Sequence, residues 1–286
     1  MRAMDPIFLI HNASRRFCID GIAKWSERYK ELCSTGGNQI SKSDGSWTYT
    51  DEAYGIFPRY QVLKAILAEI EGFTPLDFKS VSEVRTMLAT AADTAQDDFT
   101  QFDNEIAVAA VKGERGCVRT FILEIDPDQC AKIPALPFRR VLTEQDHKDL
   151  HSAFRAKWGT WYGGCADAQF LSETVTLHDA AMDDPNAYKN LHDAIHDQGI
   201  NRVFELREWG SGYELDLELA GFTYTGAEGF WTSKDLNWMV YASHESSITF
   251  GGTWLVERMR SALPSFDRYI YKGWDLSAYA ASEANP

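Results

Sequence analysis

A chain of 286 residues with 44% hydrophobic and 13% aromatic side chains can bury a substantial core, which excludes disorder for most of its length. Its formal net charge of −14 disfavours nucleic-acid backbones and anionic membranes, because both reward clustered Lys and Arg. No apolar run approaches the roughly 20 residues that span a bilayer. The stretch Ile7–Ile10 lacks the cleavage pattern of a secretory signal, so a cytoplasmic location is expected.

The N-terminal stretch carrying Phe17, Trp25 and Leu32 predicts a helix, and the Gly/Ser/Asn-rich segment Ser34–Thr50 reads as an exposed loop. A second helix is expected over Phe57–Gly72, with Pro58 near its start, Gly72 at its end and the stripe Val62, Leu63, Ile66, Leu67 and Ile70. Ser80-Val81-Ser82-Glu83 is a capping box that opens a third, through Val84, Met87, Leu88 and Ala91. Ile106–Ile125 fits a helix, although Arg119–Glu124 also suits a strand. Pro127, Pro134 and Pro137 mark a boundary. The expected organisation is a mainly helical domain 1–130, an α+β domain 138–276 and a disordered tail 277–286.

In the second part, Thr143 caps a helix with the stripe His147, Leu150, Phe154 and Trp158, ended by Trp161–Gly164. Asp184-Pro185 and Gly199 bound a helix over Pro185–Gln198. Val203–Glu208 and Tyr213–Leu219 then read as a hairpin. A two-residue loop at Gly210-Ser211 would pair Leu206 with Leu215, Phe204 with Leu217, Arg207 with Glu214 and Glu205 with Asp216. The aromatic block Phe230–Trp254 reads as turn, strand, tight turn at Ser246-Ser247, strand, and a helix entered through Gly251-Gly252. Trp254–Leu263 continues that helix, and Arg268–Trp274 suits an edge strand. The fold class is therefore α+β, a helical N-terminal part followed by an antiparallel sheet flanked by helices.

Three constellations could carry chemistry. Residues Cys165–Glu228 hold 13 Asp/Glu against three Lys/Arg. Within them Glu214, Asp216 and Glu218 alternate along one strand, so with Glu205 opposite they form an acidic face. That face suits a basic protein partner, with Trp209 and Tyr213 as aromatic anchors. His192 and His196, one helical turn apart, share a face and could chelate a metal with His178 or Asp179. They lack the glutamate of a zinc-protease helix, and His147 and His151 repeat the spacing. Ser243-His244-Glu245 offers a base at His244 beside Glu245, but strand neighbours point to opposite faces and cannot form a relay among themselves. The five cysteines are odd in number and never spaced as C-x-x-C, so they read as buried free thiols without a disulfide or zinc framework. The tryptophans outside the aromatic block read as core or domain-interface residues.

Trp238-Met239-Val240-Tyr241-Ala242-Ser243-His244-Glu245, followed by Ile248-Thr249-Phe250-Gly251-Gly252-Thr253-Trp254, resembles uncharacterised bacterial proteins. Some of these are similar to immunity proteins that accompany toxins in polymorphic-toxin and genomic-island loci. The resemblance spans Glu205–Trp254 and brings no catalytic motif. It implies a small α+β domain that binds and inactivates a partner, and acidity suits the masking of basic nuclease surfaces. The leading expectation is thus a cytoplasmic, non-enzymatic binding protein for a basic partner such as a toxin, through Glu205, Trp209, Tyr213, Glu214, Asp216 and Glu218. Neither cofactor, nucleic acid nor membrane enters that expectation. The alternative is a hydrolase-like or metal-dependent enzyme using His244 with Glu245, or His192 with His196.

Overall fold

The computed structural model describes residues 5–159, 173–184, 186–264 and 266–273. Cys165, Trp161, Gly163, Gly164, Pro185, Trp274 and the expected disordered tail lie outside the described residues. The chain divides into two compact units, residues 1–136 and 137–286.

The first unit is helical, with α1 (Pro6–Ser34), α2 (Asp51–Gly72), α3 (Val81–Thr94), α4 (Glu105–Glu124) and the short α5 (Pro127–Cys130). Asp5 caps α1 by accepting from the Ile7 amide, with Pro6 at the first helical position. Every residue from Leu9 to Arg15 is buried, so α1 is surrounded here, and its polar side chains need internal partners. They have them. His11 donates through Nε2 to the Ile70 carbonyl (3.0 Å). Asn12 accepts from the Leu136 amide and donates to the Pro134 carbonyl. Arg15 donates twice to Glu71 Oε1, at 3.1 and 3.0 Å, with the two side chains only 8% and 1% exposed. Burial pushes the His11 imidazole down to about 4.

Two expectations for this unit are corrected, and one left open between helix and strand is decided. Thr50 caps α2, accepting from the Ala53 amide, so Pro58 sits inside the helix and not at its start. Ser34–Thr50 is not all loop, because β1 (Gln39–Ser41) pairs with β2 (Trp47–Tyr49) around a turn fastened by Asp44 and Ser46. Arg119–Glu124 is helical, since Asn104 caps α4 through the Ile106 and Ala107 amides and the helix runs on to Glu124.

The second unit is built on a seven-stranded antiparallel sheet. Its strands are β3 (Arg139–Val141), β4 (Thr174–His178), β5 (Arg202–Arg207), β6 (Tyr213–Asp216), β7 (Gly229–Thr232), β8 (Met239–Ser243) and β9 (Ser247–Gly251). They lie in the order β3-β6-β5-β7-β8-β9-β4. Helices α6 (Glu144–Trp158), α7 (Ala187–Asp197) and α8 (Thr253–Ala262) complete it. The fold is α+β, as the sequence pattern implies. On one face Leu177, Val203, Trp231, Val240 and Phe250 pack with Leu191 and Ile195 of α7 and Leu255 and Met259 of α8. On the other, Leu206, Phe230, Met239 and Tyr241 pack with Phe154 and Trp158 of α6. Burial on both faces explains why β8 and β9 read as unbroken buried runs. Gly252 turns the chain from β9 into α8 at φ +97°, where a Cβ would lie 2.6 Å from the Asn237 carbonyl oxygen, so only glycine fits.

Here too the structure revises the sequence reading. Phe230–Thr232, expected as turn, forms β7, whose packing on both faces stabilises an extended chain. Over the described part of the expected edge strand, Arg268–Gly273, Phe266–Tyr269 is a 3-10 turn and among the described residues only Ile270 bridges to Leu177. Helix α7 starts at Ala187 with Asn186 as its cap residue. Helix α6 ends at Gly159, before the expected stop. Of the described cysteines, Cys18 and Cys130 are buried but Cys33 and Cys117 are exposed. Among the tryptophans read as core, Trp47 and Trp209 are instead exposed.

Candidate functional site

The β5–β6 hairpin does not have the expected register. Val203 faces Leu215, Phe204 faces Glu214 and Glu205 faces Tyr213, an odd shift that turns Glu205 to the opposite face from Glu214 and Asp216. Glu205 is buried against the α7–α8 side, where it accepts from Arg207 Nε (2.6 Å) and Trp231 Nε1 (3.0 Å). Strand β6 stops at Asp216, and Leu217–Leu219 forms a 3-10 turn that takes Glu218 off the strand. Glu214 accepts from Arg140 Nε and Nη2 (3.2 and 3.0 Å). Asp216 accepts from the Phe138 amide (2.8 Å) and pairs with Arg202 (3.4 Å). The continuous acidic face therefore does not exist. Tyr213 is partly buried beneath the Arg139 guanidinium, 4.0 Å from its ring centre, and exposed Trp209 sits on the β5–β6 loop.

What the fold does bring together was not read from spacing. At the Arg202 end of β5, α7 and the 3-10 turn enclose an open cleft of about 430 Å³. His192, Asp193, His196, Asn201, Asp216, Leu217 and Glu218 line it, so the histidine pair and two of the hairpin carboxylates share one place. The histidines are not a ready ligand pair. His192 bonds to the Ala220 backbone and meets the Phe222 ring edge-on at 5.1 Å; burial holds its pKa below the usual range, against the opposing influence of Ala220 and Asp193. Among the described residues, no group of three His, Cys, Asp or Glu side chains is placed to hold a metal ion. His178, the suggested third ligand, is buried and accepts the Ala180 amide through Nδ1.

At the other end of the sheet, sequence reasoning missed the central residue. Gly229 pairs with both Arg207 and Ala242, so the next row outward sets Glu208, Glu228 and Ser243 side by side, with Ser247 and His178 beyond. The Glu208 amide donates to the Glu228 carbonyl at 3.0 Å, which extends the ladder by that row. Opposed residues point the same way, so this polar row lies at the edge of the face that carries Leu206, Phe230 and Tyr241. Glu228 is only 4% exposed at its side chain. Its Oε2 accepts from Tyr241 Oη (2.6 Å), and its Oε1 from Ser243 Oγ (3.0 Å) and His244 Nδ1 (2.6 Å). Three donors on two oxygens is the environment a carboxylate anion requires. Ser243 and His244 therefore do meet, through Glu228, while Glu245 contributes only its amide, which donates to Ser243 Oγ. The turn is held tight by Ser246 at φ +54°. The signal that could have found Glu228 was an acidic residue directly before a Gly-aromatic strand, one row from the paired serine.

No protein-family model, curated protein or solved structure matches the chain. Among the described residues no helix is long and apolar enough to cross a membrane.

Proposed function

We propose that this protein binds a basic protein partner through the acidic cleft between α7 and the Leu217–Leu219 turn. The observation that carries the reading is the lining itself, three carboxylates and two histidines with no Lys or Arg among them. Asp193 and Asp216 have internal partners in Lys189 and Arg202, but those pairs are surface pairs, worth little and open to exchange with an incoming guanidinium. Glu218 stands exposed on the rim. A Lys or Arg entering the cleft would meet carboxylates from two walls, and the acidic surroundings would speed its approach. The resemblance to immunity proteins points the same way, toward a toxin-like partner.

The test is binding to the product of the neighbouring gene, by calorimetry at low and high salt. Asp193→Ser with Glu218→Ser leaves the Asp216 contact to the Phe138 amide intact and so preserves the fold. The expected result is about tenfold weaker binding for the double variant and a reduced salt dependence, on the order expected for two lost charge contacts. Unchanged affinity in a folded double variant would sink the proposal.

A further inference from the structure

We propose a second, chemically distinct site at the opposite end of the sheet, where His244 acts as a general base held in place by Glu228. The inference does not depend on partner binding at the α7 cleft. His244 is 57% exposed at its side chain while Glu228, its partner, is 4% exposed. A carboxylate can only accept, so His244 Nδ1 carries a proton, and in the neutral ring Nε2 presents the lone pair. No other partner of His244 is found among the described residues beyond the Tyr224 ring, 6.5 Å away between centres. Buried carboxylate, fixed tautomer and a ring more than half exposed are the relation by which an orienting acid prepares an imidazole for proton transfer.

The neighbouring hydroxyls are already committed. Ser243 donates to Glu228 and accepts from the Glu245 amide, and Tyr241 donates to Glu228. Neither is placed as a nucleophile, so water fills that role. The chemical class is ester hydrolysis. His244 Nε2 takes a proton from water as the water oxygen bonds to the acyl carbon. The tetrahedral oxyanion then collapses, the bond to the leaving oxygen breaks, and the imidazolium returns its proton to that oxygen. Tyr224, 39% exposed beside the imidazole, offers a ring against which an aromatic leaving group can stack. An aryl ester is the substrate that fits best.

Turnover of p-nitrophenyl acetate by the full chain tests this. Wild type should exceed His244→Ala by about 100-fold in kcat/KM, the lower end of what a positioned base supplies. Added imidazole should restore His244→Ala beyond the turnover imidazole gives without protein, a rescue no structural role for the ring would give. Glu228→Gln should lower kcat by about tenfold or more with KM little changed, as expected of a positioning residue. Because Glu228 is buried and its variant could disturb the turn, the surface variant His244→Ala decides the matter. Equal rates for wild type and His244→Ala, or no rescue by imidazole, would overturn the assignment.

Discussion

Two buried glutamates in this molecule are held in opposite ways. Glu71 in the helical unit pairs with Arg15, and both side chains are hidden, at 1% and 8% exposure. Glu228 in the sheet unit is equally hidden, yet one of its three donors belongs to a histidine that is more than half exposed. The first arrangement joins α1 to α2 inside the core of its unit. The second connects a buried charge to the surface. A buried carboxylate alone is therefore no sign of function; where its hydrogen bonds lead is the informative part.

That contrast predicts different consequences for the same kind of substitution. Glu71→Ala would take a buried charge partner from the Arg15 guanidinium, and denaturant unfolding should show a loss of about 3–5 kcal/mol. Glu228→Gln keeps one acceptor oxygen in the cluster, on the Tyr241 or the Ser243 side, and leaves His244 access to water, so its cost should be smaller, roughly 1–3 kcal/mol. If the two variants lost equal stability, the distinction between a carboxylate with a buried partner and one linked to a surface residue would fail.

A subtler probe lies beside the first pair. Burial keeps His11 neutral in the folded unit down to about pH 4, whereas the unfolded chain protonates near the ordinary value of 6.5. Unfolding thus takes up a proton between those values. Stability should be flat above pH 6.5, fall as pH drops toward about 4, and level off in this respect below it, by on the order of 3 kcal/mol in all. His11→Gln, which still donates to a carbonyl, should flatten that part of the profile. A slope unchanged in the variant would assign it to other groups.

Much of the architecture was legible. Caps such as Ser80 and Thr143, the proline stretch and the apolar stripes specify helices through local hydrogen bonds and burial that a sequence displays directly. The hairpin register was not legible. Strand β5 is packed on both sides, so Val203, Phe204 and Leu206 offer no clean alternation, and Glu205 passes for a surface residue because its partners Arg207 and Trp231 are assigned only by the fold. The same reason hid Glu228. Its four-residue cluster is assembled from a loop, a strand and a turn separated by up to 16 positions, and no spacing rule encodes that row. The cleft joining the α7 histidines to Asp216 and Glu218 likewise depends on β6 breaking into a 3-10 turn at Leu217.

The most direct test of that link to the surface is the tautomer of His244, read by long-range proton–nitrogen NMR on labelled protein at a pH where the ring is neutral. The account predicts that Nδ1 carries the proton in the wild type and that Glu228→Gln shifts the population toward the Nε2–H form that free imidazole side chains favour. A wild-type ring protonated at Nε2, or a tautomer indifferent to Glu228, would contradict it.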